Sequence, residues 1–227
     1  MRLKSAILVV AAFTASSMFA QNPDNESHMP VTLGFKAGIP ITDMFDARNT
    51  SLFNGNTPGS PYTAAVPRYE FGLSAEFHLP YHLRFELDGL YKRAGFATSS
   101  ALGGGSSEGY YTSKLNVFEV PGLFKYNIAV GHFRPFIDAG ASLRHIAGLQ
   151  ETTTIVGLPN SFINNSVPGL VNRNSFGGVA GFGITFKKGP FELTPEARYT
   201  RWANESFSAM GLRTTLDQGD VLLGISF

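Results

Sequence analysis

The sequence predicts an all-β protein: an eight-stranded antiparallel up-and-down transmembrane β-barrel with short periplasmic turns and four long outer loops. Three observations carry this. Apolar and polar residues alternate with a period of two along most of the chain, which puts one apolar and one polar or small face on each strand. Eight such segments follow one another, joined by connections that alternate long and short. Of the 227 residues 43% are hydrophobic and only 15% charged, against roughly 25% charged in an ordinary soluble domain.

The first 20 residues are different in kind. Arg2 and Lys4 precede the apolar stretch Ser5 to Ala15, and Met18-Phe19-Ala20 offers a small-residue cleavage site, so 1–20 reads as a secretory signal cut after Ala20. The alternative, a membrane anchor, needs roughly 20 apolar residues, and this stretch is shorter. Removing 1–20 takes away Arg2 and Lys4 and leaves 16 Lys and Arg against 17 Asp and Glu. Residues 21–30 are polar and read as a flexible leader; 31–227 forms the barrel domain. The absence of Cys excludes disulfide scaffolds, thiolate metal sites and Cys nucleophiles. Balanced charge without a basic block speaks against non-specific nucleic-acid binding.

The eight segments are 31–38, 68–79, 82–94, 114–128, 134–147, 175–187, 191–203 and 218–227. The second alternates Tyr69, Phe71, Leu73, Ala75 and Phe77 with Glu70, Gly72, Ser74, Glu76 and His78. The third sets Leu83, Phe85 and Leu87 against Arg84, Glu86 and Asp88, and the last sets Val221, Leu223, Ile225 and Phe227 against Asp220, Leu222, Gly224 and Ser226. In the fourth, Leu115 and Val117 fall on the opposite parity to Phe118, Val120, Phe124 and Tyr126; a bulge near Val117-Phe118 would reconcile them. The links 39–67, 95–113, 148–174 and 204–217 are long, whereas those at Pro80-Tyr81, 129–133 and Lys188-Gly189-Pro190 are tight. In a meander this sends every long link to one end, as in outer-membrane barrels.

The face opposite the aromatic one carries Lys36, Glu70, Glu76, Arg84, Glu86, Asp88, Lys92, Glu119, Lys125, Asp138, Arg144, Glu192, Glu196 and Arg198. In a soluble sandwich this face would meet water. Three features favour a lipid-facing barrel instead. Several segments are longer than the usual five or six residues of soluble strands and match the 9–11 that cross a bilayer with tilt. Aromatics such as Tyr69, Phe77, Tyr81, Tyr91, Tyr126 and Tyr199 stand near strand ends, as interfacial girdles do. The chain also ends on a strand, at Phe227. Eight strands leave a lumen that side chains just fill, so the eight acidic and six basic inward positions are expected to pair across it.

Residues 118–144, FEVPGLFKYNIAVGHFRPFIDAGASLR, resemble the small bacterial outer-membrane β-barrel family related to OmpA/OmpX-like and PorT-like barrels. The likeness lies in Glu119-Val120-Pro121, Phe124-Lys125-Tyr126, a short turn, Phe133-Arg134-Pro135-Phe136 and Ala139-Gly140, with Glu196-Ala197-Arg198-Tyr199 and Leu223-Gly224-Ile225-Ser226-Phe227 further along. It implies an eight-stranded barrel in the outer membrane, surrounded by its lipid. It also implies a terminal aromatic strand, ending at Phe227, that resembles the signal read by the barrel-assembly machinery.

No catalytic, cofactor or metal site is expected. Five His residues are scattered (His28, His78, His82, His132, His145), and no Gly-x-Ser-x-Gly elbow is present. The lipid A deacylase family carries a His-x-Ser-Asn run near its last strands; the comparable stretch here is Arg201-Trp202-Ala203-Asn204. Asp43, Asp46 and Asn49 have a loose acidic spacing without the pattern of a calcium loop. The run Gly103-Gly104-Gly105 reads as a loop tip. The leading expectation is a monomeric structural anchor or interaction protein acting through its outer loops, where Phe53, Phe162, Ile163, Phe207 and Met210 stand as apolar residues. An extracellular or periplasmic protein partner fits this reading. The alternatives are a narrow pore for small polar solutes or ions, for which Gly72, Gly140, Gly181, Gly183 and Gly224 would leave room, and a component of a secretion or envelope assembly.

Overall fold

The computed structural model describes residues 31–42, 44–46, 63–64, 68–101, 108–128, 133–155, 161–165, 169–209 and 212–227. The signal and leader at 1–30, and the loop positions Asp43, Asn49, Phe53, Gly103 to Gly105, His132 and Met210, lie outside them. Eight long strands form a meander: β1 (Val31–Pro40), β2 (Glu70–His78), β3 (Leu83–Ala101), β4 (Glu108–Asn127), β5 (Phe133–Ile155), β6 (Asn174–Lys188), β7 (Phe191–Trp202) and β8 (Asp217–Ser226). Each pairs antiparallel with the next, and β1 pairs with β8 from Gly34↔Ser226 to Pro40↔Asp220, closing the barrel.

The stagger of the barrel can be read from its registers. Starting at Val31, the pairing runs through Phe77, Phe85, Phe124, Ala139, Ala180, Tyr199 and Gly219. It returns to β1 where Ile41 donates its N–H to the Gly219 carbonyl at 2.7 Å. The circuit comes back ten residues further along, which tilts the strands strongly to the axis and sets a narrow lumen.

Both ends, Val31 and Phe227, lie at the short-turn end, where Phe227 N–H donates to the Leu33 carbonyl. The turn between β2 and β3 is a two-residue reversal with Tyr81 at φ 64° and His82 at φ 63°. Left-handed geometry at both central positions is that of a type I′ turn, usually given to Asn and Gly. Gly189, at φ 64° and followed by Pro190, turns β6 into β7.

Three expectations are corrected. The link 95–113 is largely strand rather than loop, and the link 148–174 is strand in part, at Gly148 to Ile155 and Phe162–Asn164. Gly95 to Ala101 pairs with Lys114 to Glu108, and Glu151 to Thr153 with Phe162–Asn164. These extensions carry Thr and Tyr, which favour strands, among Ser and Gly, without supplying the apolar face that the alternation detects. The bulge is not at Val117-Phe118. The register shifts between Lys114 and Asn116, and the extra residue lies on β5, where Gly148 adopts φ 60°; a left-handed glycine opening a bulge is a familiar device. The opposite parity of Leu115 and Val117 has a different cause. Both point inward, with 0% and 2% exposure, into an apolar cluster with Phe45, Phe96, Ile146, Leu149 and Phe207.

That cluster closes the outer end. A small sheet of Phe45–Asp46, Leu212–Thr214 and Ser208–Ala209 lies there, and Phe207 forms a bridge with Leu170. The ring of Phe45 meets Phe96 and Phe207 edge-on at 4.9 and 5.3 Å between centroids.

Candidate functional site

The outward face is apolar. Phe35, Leu73, Leu87, Phe124, Ile137, Phe182, Leu193 and Val221 are exposed, which in water would be untenable over so wide a band and in lipid is required. The inward face holds the charge. The inward parity carries nine carboxylates, at Glu70, Glu76, Glu86, Asp88, Glu119, Asp138, Glu192, Glu196 and Asp220, and six cations, at Lys36, Arg84, Lys92, Lys125, Arg144 and Arg198. All are buried except Glu76, whose side chain is 13% exposed.

These groups form two clusters. Nearer the short turns, Lys36 pairs with Glu86, with Asp88 at 3.2 Å and with Glu196 at 2.8 Å. Arg198 spans Glu86, Asp88 and Glu196 at 3.3, 3.0 and 2.5 Å. Lys125 reaches Glu86 at 2.6 Å and Glu76 at 3.2 Å, and its Nζ stands 4.2 Å above the Phe136 ring. Arg84 pairs with Glu76 and reaches Glu192 at 3.5 Å. Nearer the outer end, Lys92 contacts Glu70, Glu119 and Asp220 at 2.8, 2.9 and 3.2 Å. Arg144 Nε donates to Glu119 at 3.1 Å, and its guanidinium stacks 3.7 Å from the centre of Trp202. Gln218 ties the cluster together, donating to Asp220 at 2.7 Å and accepting from Trp202 Nε1 at 3.1 Å.

Among the described residues no ion pair joins the two clusters. Leu90 separates Asp88 from Lys92 along β3, Leu123 lies between Glu119 and Lys125 on β4, and Leu222 follows Asp220 on β8; all three are buried. Asp138 shares inward parity with Phe136, but among the described residues neither of its carboxylate oxygens has a hydrogen-bond partner. Four of the five glycines do not leave room; at Gly224 a Cβ would stand at ordinary contact distance, 3.6 Å, from Lys36 and Thr194. A Cβ on Gly181 would meet Asp138 at 2.6 Å and one on Gly183 the Phe136 ring at 2.5 Å, so these positions seat large neighbours. At Gly72 and Gly140 a Cβ would strike a neighbouring strand's carbonyl at 2.0 Å.

Sequence reasoning placed twelve lumen residues in one proposed network (Glu70, Glu76, Arg84, Glu86, Asp88, Lys92, Glu119, Lys125, Asp138, Arg144, Glu196 and Arg198). The structure puts all twelve on the lumen side, eleven of them in the two clusters and Asp138 in the ion pairs of neither. It adds Asp220, Gln218 and Trp202. Asp220 stood on the polar parity of the last segment; Gln218 and Trp202 were not singled out as lumen groups.

The histidines are dispersed. His78 stands 3.9 Å from Glu76, His82 is in the turn, and His145 is exposed with Nδ1 2.7 Å from Asn174 Oδ1. Among the described residues no group of three or more His, Cys, Asp or Glu side chains is arranged to hold a metal ion. Of the apolar loop residues, Phe207 is fully buried while Phe162 and Ile163 are exposed.

The description of the outer membrane protein beta-barrel domain family matches residues 19–203. No curated protein sequence matches the chain. Among solved structures the chain is similar to the outer membrane protein OprG from Pseudomonas aeruginosa, at 14% identity, 87% coverage of this chain and 94% of that one, and a TM-score of 0.50. It is also similar to Neisserial surface protein A, at 11% identity, 86% and 94% coverage, and a TM-score of 0.46. At 14% identity the likeness to OprG is one of fold alone. With the family match spanning most of a closed eight-stranded barrel whose apolar face points outward, the chain belongs to the outer membrane protein beta-barrel domain family and resides in the bacterial outer membrane.

Proposed function

We propose that the protein is an outer-membrane anchor that presents its outer-end assembly to the exterior and does not conduct. The observation that carries this reading is the stacking of obstructions along the lumen: two ion-pair clusters, the leucines Leu90, Leu123 and Leu222, and the apolar cluster around Phe45, Phe96 and Phe207. Charges buried this way are tolerable only when paired, and a paired, packed interior serves stability rather than passage. The working surface is then the outer end, where a scaffold holds binding segments clear of the membrane. In the same reading, residues 1–20 direct export, and Phe227, exposed at the end of β8, is the aromatic terminus read during assembly.

Planar-bilayer recording on protein purified from membranes tests it. The expected trace shows no conductance above the bare bilayer. Discrete steps would overturn the reading and favour a narrow pore for small polar solutes or ions.

A further inference from the structure

The lipid-facing surface changes character at one level, and two strands show where. On β3 the outward residues from Leu83 to Tyr91 are apolar or aromatic, apart from Gly89. On β4 the same holds from Tyr126 to Phe118, apart from Gly122. Each run is nine residues, the length that crosses the hydrocarbon at this tilt. The next outward residues are Arg93 on β3 and Asn116 and then Lys114 on β4, with Arg93 directly opposite Asn116. Tyr91 OH donates to Asn116 Oδ1 at 2.9 Å, fixing the amide at the top of the aromatic girdle. β7 follows the same plan, with outward residues from Phe191 to Tyr199 and then Arg201. There the cation is neutralised within the protein: Arg201 pairs with Asp217, which also accepts from Tyr199 OH at 2.5 Å. Arg93 and Lys114 are exposed and, among the described residues, have no carboxylate in ion-pair reach.

We propose that Arg93, Lys114 and Asn116 form a binding surface for a phosphate of an outer-leaflet phosphorylated glycolipid. The long-link end faces outward, so these groups lie where the outer-leaflet headgroups begin. Two unpaired cations above an aromatic girdle attract an anionic headgroup, and a guanidinium matches phosphate oxygens in a bidentate manner. The Tyr91 and Phe118 rings below, 5.5 Å apart, supply the surface on which the acyl chains rest. On the opposite side Asp217 occupies the place that the phosphate would take beside Arg201.

The test uses protein purified from membranes and exchanged into neutral detergent, titrated with bisphosphorylated lipid A, with its dephosphorylated form and with inorganic phosphate. The expected result is saturable binding of bisphosphorylated lipid A that weakens about tenfold or more in Arg93→Ala/Lys114→Ala. Arg93→Lys/Lys114→Arg keeps it, and Arg201→Ala leaves it unchanged. The unboiled gel mobility of each variant reports that the barrel is intact. Unchanged affinity in the double alanine variant overturns the proposal. So does equal binding of the dephosphorylated lipid, and so does competition by inorganic phosphate at concentrations similar to the lipid, which would mark a site for free anions.

Discussion

The inner faces of β3, β4 and β5 have two halves with opposite chemistry. In the membrane-embedded half they carry Asp88, Lys92, Glu119, Lys125 and Arg144; beyond it the same faces carry Phe96, Leu115, Ile146 and Leu149. The parity continues through β3 and β4, and on β5 the Gly148 bulge resets it. What changes is the solvent on the other side of the sheet. Where lipid covers the outside, apolar residues are needed there and polarity is turned inward. Where headgroups and then water cover the outside, the outward positions become Arg93, Asn116 and Lys114, and the inside becomes an ordinary hydrophobic core. The chain thus changes from inside-out to outside-in within a few residues. The ionic half is held by two networks of buried ion pairs, in which losing one partner is costly; the apolar half is held by packing.

The two halves should fail differently. Arg198→Leu leaves Glu86, Asp88 and Glu196 with one fewer cation in a closed lumen, and removing one partner of a buried network costs about 3–5 kcal/mol. Urea unfolding followed by unboiled gel mobility should show the whole barrel destabilised; an unchanged midpoint would mean that the ion pairs are not what holds the interior. Phe207→Ala removes a fully buried ring from the outer cluster, a loss of about 3–5 kcal/mol, but confined to that half. Limited proteolysis of the outer segments should accelerate while the barrel's gel shift stays in place. A shift in the barrel midpoint would show that the halves are coupled.

The boundary between faces can be probed directly. Leu87→Arg places a cation on the lipid side near mid-membrane, beside Gly122, and should destabilise the folded state in lipid by about 2–4 kcal/mol. A soluble reading of that face would predict almost no effect. The smallest change is expected at the short-turn end, remote from both halves. Tyr81 is 87% exposed and held at φ 64°, so Tyr81→Gly should stabilise by about 1 kcal/mol, measured by the same unfolding assay.

Much of this was legible in the chain because a barrel in lipid writes itself with period two. The eight strands, the short turns and the inward positions of Lys36, Glu86, Glu119 and Arg198 all follow from alternation. Two kinds of residue escaped it. The extensions 95–101 and 108–113 have no apolar face in lipid to give a signal. Leu115 and Val117 broke the expected parity because the solvent changed there, not the backbone, so a bulge was inferred on the wrong strand. Trp202 and Gln218 were not read as lumen groups because one is aromatic and the other uncharged; only their contacts with Arg144, Glu119 and Asp220 place them.

Taken alone, the sequence determined which residues face inward and which outward, since side-chain direction along a strand is set by parity. It also determined the number of strands, through the spacing of its links. Partner choice among the inward charges was decided only when the barrel closed. Lys36 meets Glu196 across 160 residues of chain, and Lys92 rather than Lys36 meets Asp220, because a ten-residue stagger fixes which rows of the eight strands stand at the same height. Parity is local, but height round a closed barrel is a property of every register at once.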